Sequence, residues 1–233
     1  MVKIIVSGAS GRMGKRIIEL AQNDGDIEVI GGIELKPVPE ANIASDISRI
    51  KGAYNCIIEF TAPKATVEHV EAATRLKKAM VIGTTGLSED DMGVVKKASA
   101  VIPIVLSPNM SIGVNLLFCL IERAVKTLGG EYKVRIREAH HIHKKDKPSG
   151  TAMLMSNIVR ENAKDVDVPI ESIRDGEIIG DHDMVFESTV DILRISHSAK
   201  TRDIFALGAL KAAKFVITKR NGLYSMSDVL GLN

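Results

Sequence analysis

The chain contains no tryptophan, and phenylalanine and tyrosine bring aromatic residues to only 3% of its 233 positions. Single-stranded nucleic acid is commonly held on aromatic side chains, so this composition argues against that class of surface. Cysteine is also scarce. Cys56 lies in the apolar run Asn55–Phe60 and Cys119 in an apolar helical pattern, which gives no disulfide framework. Both are expected as buried free thiols in a reducing compartment, with no neighbouring base or positive charge to make either a nucleophile. An excess of one charge is missing too. The 31 Lys and Arg against 29 Asp and Glu leave a formal net charge of +2, so no global field points to nucleic acid or an anionic membrane. No apolar run reaches the roughly 18 residues of a membrane span. Met1-Val2-Lys3 leads straight into a strand-like run, with no signal peptide. The expectation is a cytoplasmic protein without membrane or nucleic-acid partners. At 45% hydrophobic and 26% charged residues, the chain suits one large globular domain or two small ones.

The first half alternates two hydrophobic periods. Apolar runs at Val2–Val6, Ile27–Ile33, Asn55–Phe60, Ala79–Ile82 and Ile102–Leu106 predict strands. Helical spacing separates them, from Arg12 to about Asn23, across Ala65–Lys77 after Pro63, and after Ser88, where Asp91 three residues on suggests a capping box. Strands alternating with helices predict an α/β domain, a parallel Rossmann-like sheet with helices on both faces. The pattern then changes. Ile112–Leu128 reads as a longer helix ended by Gly129-Gly130, and Tyr132–His140 alternates apolar and basic residues as a strand with one buried face. Two more strand-like runs, Met184–Ser188 and Val190–Ser196, and a helix at about Thr151–Ala163 predict a smaller α+β domain with a mixed or antiparallel sheet. A final helix pattern at Ile204–Ile217 can return to the first domain. We therefore expect a dinucleotide-binding domain over 1–110 and 208–233 and a substrate-binding and oligomerisation domain over 111–207.

Gly8-Ala9-Ser10-Gly11-Arg12-Met13-Gly14 follows the first strand and opens the first helix. Glycine is needed where the chain turns sharply and a pyrophosphate must approach the backbone, while the helix start offers free N–H groups and a positive dipole end. Glycine spacing alone is a weak signal, but strand, turn and helix stand here in the required order. Glu34 comes twenty positions after Gly14, at the end of the second strand, where a carboxylate can accept from a ribose hydroxyl. Lys36 could instead meet a 2′-phosphate. Phe60 and Thr61, then Gly83-Thr84-Thr85-Gly86, then Ser107-Pro108-Asn109-Met110 close the third, fourth and fifth strands. They are candidate walls for the nicotinamide half, or simply turns.

A second segment is dense in chemistry. Between His140 and Lys147 stand His140, His141, His143, Lys144, Lys145 and Lys147, before Ser149-Gly150-Thr151 opens a helix. Cationic side chains facing a helix start suit a small carboxylate, and His or Lys can serve as a general acid near neutral pH. A metal site fits poorly, because lysines repel cations and no Cys or spaced carboxylate completes a ligand set. A solvated charged loop is the plain alternative.

These motifs resemble the 4-hydroxy-tetrahydrodipicolinate reductase (dihydrodipicolinate reductase) family of the diaminopimelate route to lysine. The resemblance rests on Gly8–Gly14, Glu59–Thr61, Gly83–Gly86, Glu138–Thr151, Ile173–His182 and Gly222–Leu230, nearly the whole chain. It implies a two-domain, NAD(P)H-dependent enzyme, usually a homotetramer joined through the second domain's sheet. It implies that His140 and Lys144 are catalytic and that His141, Gly150 and Thr151 contact a substrate carboxylate. It implies cofactor contacts from Gly8, Ala9, Ser10, Gly11, Arg12, Met13, Glu34, Gly83, Thr84, Thr85, Ser107, Pro108, Asn109 and Met110. Many members carry Arg after the acidic residue, where this chain has Leu35, so NADH is expected as the cofactor with NADPH also accepted. The region Val166–Asp175 looks shortened, which leaves the second sheet's strand count open. Another amino-acid-pathway dehydrogenase and a non-catalytic NAD-sensing module are the alternatives. The first would show a nucleophilic Cys if it acted on a semialdehyde, and the second would have no need of the His-Lys loop.

Overall fold

The computed structural model describes residues 1–163 and 166–232. Asn233, which the sequence reading assigns to the first domain, lies outside them. The chain divides into two compact units, Met1–Ile112 with Asp203–Gly231, and Gly113–Arg202 with Leu232.

The first unit holds β1 (Val2–Ser7), α1 (Arg12–Ala21), β2 (Ile27–Ile33), β3 (Ile43–Ala44), β4 (Cys56–Glu59), α2 (Pro63–Leu76), β5 (Ala79–Ile82), α3 (Glu89–Ser99) and β6 (Pro103–Leu106). Of the next helix, α4 (Ile112–Leu128), only Ile112 belongs to this unit. The second unit adds β7 (Lys133–His140), α5 (Gly150–Asn162), β8 (Ile170–Arg174), β9 (Asp181–Glu187) and β10 (Ile192–Ser198). The chain then returns to the first unit with α6 (Asp203–Val216), β11 (Gly222–Tyr224) and α7 (Met226–Leu230).

Seven strands form a parallel sheet in the order β11-β6-β5-β4-β1-β2-β3. Strand order reverses between β1 and β4, the switch point where open α/β sheets bind ligands beyond their carboxyl ends. The two-residue period of the strands divides their side chains between two cores. Ile4, Val6, Ile58 and Val81 pack with α1, α6 and α7 on one face. Ile5, Ile57, Met80 and Ile82 pack with α2 and α3 on the other. Both faces are covered, which is why these strands read as continuous apolar runs. The Ser88–Asp91 capping box is present at the start of α3, with Asp91 N–H donating to Ser88 Oγ at 3.2 Å and Ser88 N–H to Asp91 Oδ2 at 2.9 Å.

The second sheet runs β10-β9-β7-β8. It is mixed: β9 pairs antiparallel with both β10 and β7, while β8 lies parallel to β7. Val134, Ile136, Met184 and Phe186 face a core shared with Leu117, Ile121 and Val125 of α4 and with Ala152, Met155 and Val159 of α5. Lys133, Arg135 and Arg137 are exposed, as the alternation predicts, but Glu138, Ala139 and His140 are all buried. The loop after β8 closes over that end of the strand, with Asp175 N–H donating to the His140 carbonyl at 2.9 Å and Ile142 N–H to the Gly176 carbonyl at 3.2 Å. The region expected to be shortened therefore supplies a full strand and the loop beyond it. Cys56 is buried, and burial pushes its thiol far up, whereas Cys119 is only half-buried.

Candidate active site

In the first unit, Gly8 has φ +75°, and a Cβ there would lie 2.6 Å from the Phe60 carbonyl oxygen. A Cβ on Gly14 would lie 2.1 Å from the Gly8 carbonyl oxygen. The turn is thus folded onto its own backbone and onto the end of β4, and only glycine fits at both positions. Gly11 caps α1 without any side-chain hydrogen bond, so no side chain competes with a ligand for the helix's first N–H groups. The Glu34 carboxylate accepts from Ser10 N–H at 3.0 Å and from Leu35 N–H at 3.1 Å. It is therefore fixed against the turn rather than loose in solvent. Leu35 is 93% exposed. A cradle that any Cβ would fill, an uncapped helix start and a carboxylate at the second strand's end fit a dinucleotide.

Phe60, Gly83 and Thr84 meet beside this turn. A Cβ on Gly83 would strike the Phe60 ring at 2.3 Å, so the ring lies directly on the glycine. Thr61 N–H donates to Thr84 Oγ1 at 3.1 Å. Thr85 is exposed. Ser107 Oγ donates to the Asn109 carbonyl at 2.8 Å and Pro108 stays exposed. The Met110 side chain is 1% exposed and belongs to the core, so only its backbone remains for a ligand.

Beneath these loops sits a polar group that sequence reasoning left without a role. Glu59 is fully buried. Its Oε2 lies 2.7 Å from His69 Nδ1, and its Oε1 accepts from the Thr61 and Thr66 hydroxyls. Burial alone would lower the His69 pKa, but the hydrogen bond to Glu59 reverses this and raises it.

In the second unit, Glu138 is also fully buried, and its Oε2 lies 2.5 Å from His140 Nδ1. Arg174 brings Nη1 within 3.0 Å of Oε2 and Nη2 within 2.9 Å of Oε1. Ser149 N–H donates to Oε1 at 3.3 Å. Burial pushes the Glu138 carboxyl up, but Arg174 and His140 outweigh it and hold the group below its ordinary range. Burial lowers the His140 pKa, Glu138 opposes that only in part, and Lys144 and Arg174 lower it further. His182 meets His140 edge-on at 5.1 Å between ring centroids, and burial pulls its pKa down to about 4.

Ser149 caps α5 by accepting from Ala152 N–H at 3.2 Å, so the helix begins at Gly150 and Thr151 as expected. Lys144 pairs with Asp146 at 2.8 Å. His141 is half-buried, while His143, Lys145 and Lys147 are exposed. The segment thus divides: His140 enters the buried cluster, and its outer lysines are solvated. Among the described residues, no group of three His, Cys, Asp or Glu side chains is placed to hold a metal ion. Sequence reasoning missed Glu138, Arg174 and His182 as site residues. For Glu138 a signal was present, because period two places it on the same face as His140.

The comparisons fit this geometry. The model of the dihydrodipicolinate reductase N-terminus matches residues 2–110, and that of the C-terminus matches residues 113–230. The chain belongs to the dihydrodipicolinate reductase family. A 4-hydroxy-tetrahydrodipicolinate reductase of Syntrophus aciditrophicus is 38% identical over 265 aligned positions, covering 99% of both chains. That of Aquifex aeolicus is 40% identical over 263 positions, again covering 99% of each. The fold agrees with a dipicolinate-bound dihydrodipicolinate reductase from Paenisporosarcina sp. TG-14, at a TM-score of 0.82, 20% identity and 97% coverage of both chains. Membership makes the chain a reductase, and the cofactor of this family is NAD(P)H.

Proposed function

We propose that the chain reduces 4-hydroxy-tetrahydrodipicolinate to tetrahydrodipicolinate in the diaminopimelate route, with NADH preferred over NADPH. The observation that carries this reading is the buried group of Glu138, His140 and Arg174 at the capped start of α5, with Lys144 on the connecting loop. When bound, the nicotinamide would supply a hydride to an electron-poor ring carbon of the substrate once its 4-hydroxyl has left as water. Gly8–Met13 would hold its pyrophosphate and Glu34 its ribose, with Phe60, Thr61, Gly83–Thr85 and Ser107–Met110 around the nicotinamide half.

The other roles fall to the second unit. His140 donates Nδ1–H to Glu138, which fixes the ring and leaves Nε2 to face substrate. A neutral His140 is a poor proton source, so Lys144 supplies the proton that completes the reduction while His140 orients the substrate. Gly150 and Thr151, at the start of α5, take a substrate carboxylate together with His141. The preference for NADH follows from Glu34, whose carboxylate repels a 2′-phosphate, and from Leu35, which offers no cation to bind one. Exposed Lys36 leaves NADPH acceptable.

Purified chain is expected to deplete the NADH absorbance band when freshly prepared substrate is added, with a larger kcat/KM for NADH than for NADPH. Inactivity with both cofactors overturns the function, and a larger value with NADPH overturns the preference.

We assign the assembly as a homotetramer joined through the second sheet. In its support, α4 and α5 pack on the opposite face from Arg135, Arg137, Asp183 and Arg194, no helix among the described residues covers that side, and the edge strand β10 exposes Ile192 and Leu193. Light scattering that gives a monomer mass overturns this assignment. No helix among the described residues is long and apolar enough to cross a membrane. The two free thiols support a reducing compartment, the cytoplasm.

A further inference from the structure

The pair of buried Glu59 and half-buried His69 under the cofactor turn has no part in the chemistry above, yet it joins the ends of β1 and β4 to the loop after β5. Ser7, the last residue of β1, places Oγ 3.0 Å from His69 Nδ1. Glu59, the last residue of β4, takes the same nitrogen at 2.7 Å. Its other oxygen accepts from Thr61 and from Thr66, and Thr66 Oγ1 also lies 2.9 Å from Thr84 Oγ1. Thr84 in turn accepts from Thr61 N–H. One histidine on α2 thus anchors the ends of two strands, and through them the loop after a third. The linkage reaches the phosphate turn directly, because Gly8 has no room for even a Cβ against the Phe60 carbonyl.

A fully buried carboxylate is costly unless its lone pairs are filled by donors. Glu59 has three side-chain donors, and His69 alone among them can carry a charge. The Thr61 hydroxyl stays turned inward to the carboxylate only while the group is complete, and its turn sets the course of the Phe60–Thr61 backbone. Loss of the His69 donor leaves Glu59 under-satisfied, and the cheapest relief is rotation of Thr61 or entry of water, either of which moves the loop.

We propose that His69 is a positioning residue for the dinucleotide, holding the Phe60–Thr61 and Gly83–Thr85 loops in their binding geometry through Glu59. The proposal rests on the assignment of those loops to the cofactor.

The test is NADH binding to the full chain, followed by fluorescence titration, alongside steady-state kinetics. His69→Leu should raise the Kd and KM for NADH roughly tenfold, with kcat at saturating NADH within about twofold of the parent. His69→Asn, whose amide nitrogen can occupy the Nδ1 position, should restore most of the affinity. Dipicolinate binding, measured by calorimetry without NADH, should be unchanged in both. Thr66→Val, an isosteric change that removes one hydroxyl from the same carboxylate, should weaken NADH in the same direction and serves if His69→Leu does not fold. An NADH affinity unchanged in His69→Leu, or in Thr66→Val should that variant stand in, overturns the proposal. So does a loss in His69→Asn equal to that in His69→Leu, which would make the ring's bulk the cause. If the parent chain binds neither NADH nor NADPH, the cofactor assignment fails and the proposal falls with it.

Discussion

His140 Nδ1 lies 2.5 Å from Oε2 of Glu138, and both side chains are buried. The carboxylate fixes which ring nitrogen carries the proton and which is left as an acceptor. Glu138→Gln removes the charge that holds this arrangement, and an amide can present its N–H to the ring instead of an acceptor. We expect kcat to fall roughly 100-fold, within the range of lost acid–base organisation, with NADH affinity unchanged. The same substitution leaves Arg174 without its buried partner. Breaking such a pair costs about 3–5 kcal/mol, so the melting temperature should drop clearly. Steady-state kinetics and thermal unfolding of one preparation check both; full activity would show that Glu138 does not organise His140.

Lys144→Met and His140→Asn separate the two candidate proton groups. We expect Lys144→Met to lose on the order of 10²–10⁴ in kcat, as general-acid variants do. His140→Asn should lose less in kcat and more in substrate KM, since its role is to orient. Neither should change the Kd for NADH. The reverse ranking would make His140 the proton donor.

Cofactor choice should turn on residues 34 and 35. Leu35→Arg places a guanidinium on an exposed position next to the carboxylate that repels a 2′-phosphate. One charge-assisted hydrogen bond to phosphate amounts to about 1.5–3 kcal/mol, so kcat/KM for NADPH should rise about tenfold or more. Glu34→Gln should weaken NADH while sparing NADPH. An unchanged NADPH/NADH ratio in both variants would place selection elsewhere.

Stability should depend on pH through His182. Its pKa is pulled down to about 4 by burial, so the folded chain resists a proton that the unfolded chain accepts below its ordinary histidine value. The stabilisation is therefore complete above about pH 6.5 and is lost as pH falls toward 4, by on the order of 3 kcal/mol in all. His140 acts in the same direction. His69 acts oppositely: its raised pKa gives a contribution present below the ordinary histidine value and lost as pH rises through the folded one. Urea unfolding of the parent and of His182→Phe at pH 7 and pH 4.5 should show a smaller acid loss in the variant. Parallel losses would mean that His182 is not the group that titrates.

Much of this architecture is legible in the residues because it follows from local rules. The limits of β2 and α4 coincide with the hydrophobic pattern, and Ser88 with Asp91 announces the start of α3. The glycine turn is legible because only glycine can make those contacts. β3 and β11 are not, since two or three residues carry no period and exist by pairing with neighbouring strands. β8 was hidden for a related reason. Its residues are only half-buried and hold their place by parallel pairing to β7. The site followed the same division. His140 and Lys144 stand out in a dense motif, whereas Arg174 and His182 reach the cluster from 34 and 42 residues further along the chain than His140. Such convergence is tertiary, and a local window does not contain it.

The discontinuity of the first unit bears on how the chain is made. Ala206, Ala209, Leu210, Ala213 and Val216 of α6 and Met226 and Val229 of α7 line the same core as Ile4, Val6 and Val81. Gly208 fits so closely that a Cβ there would lie 1.7 Å from the Met110 carbonyl oxygen. During synthesis, α1 covers only part of that face of the parallel sheet, and the remainder must wait until all of Gly113–Arg202 has left the ribosome. The second unit, almost continuous in sequence, can close its core first. A nascent chain stalled near Met110 would present bare Ile, Val and Ala side chains, the surface that chaperones bind, until Asp203–Gly231 completes the unit.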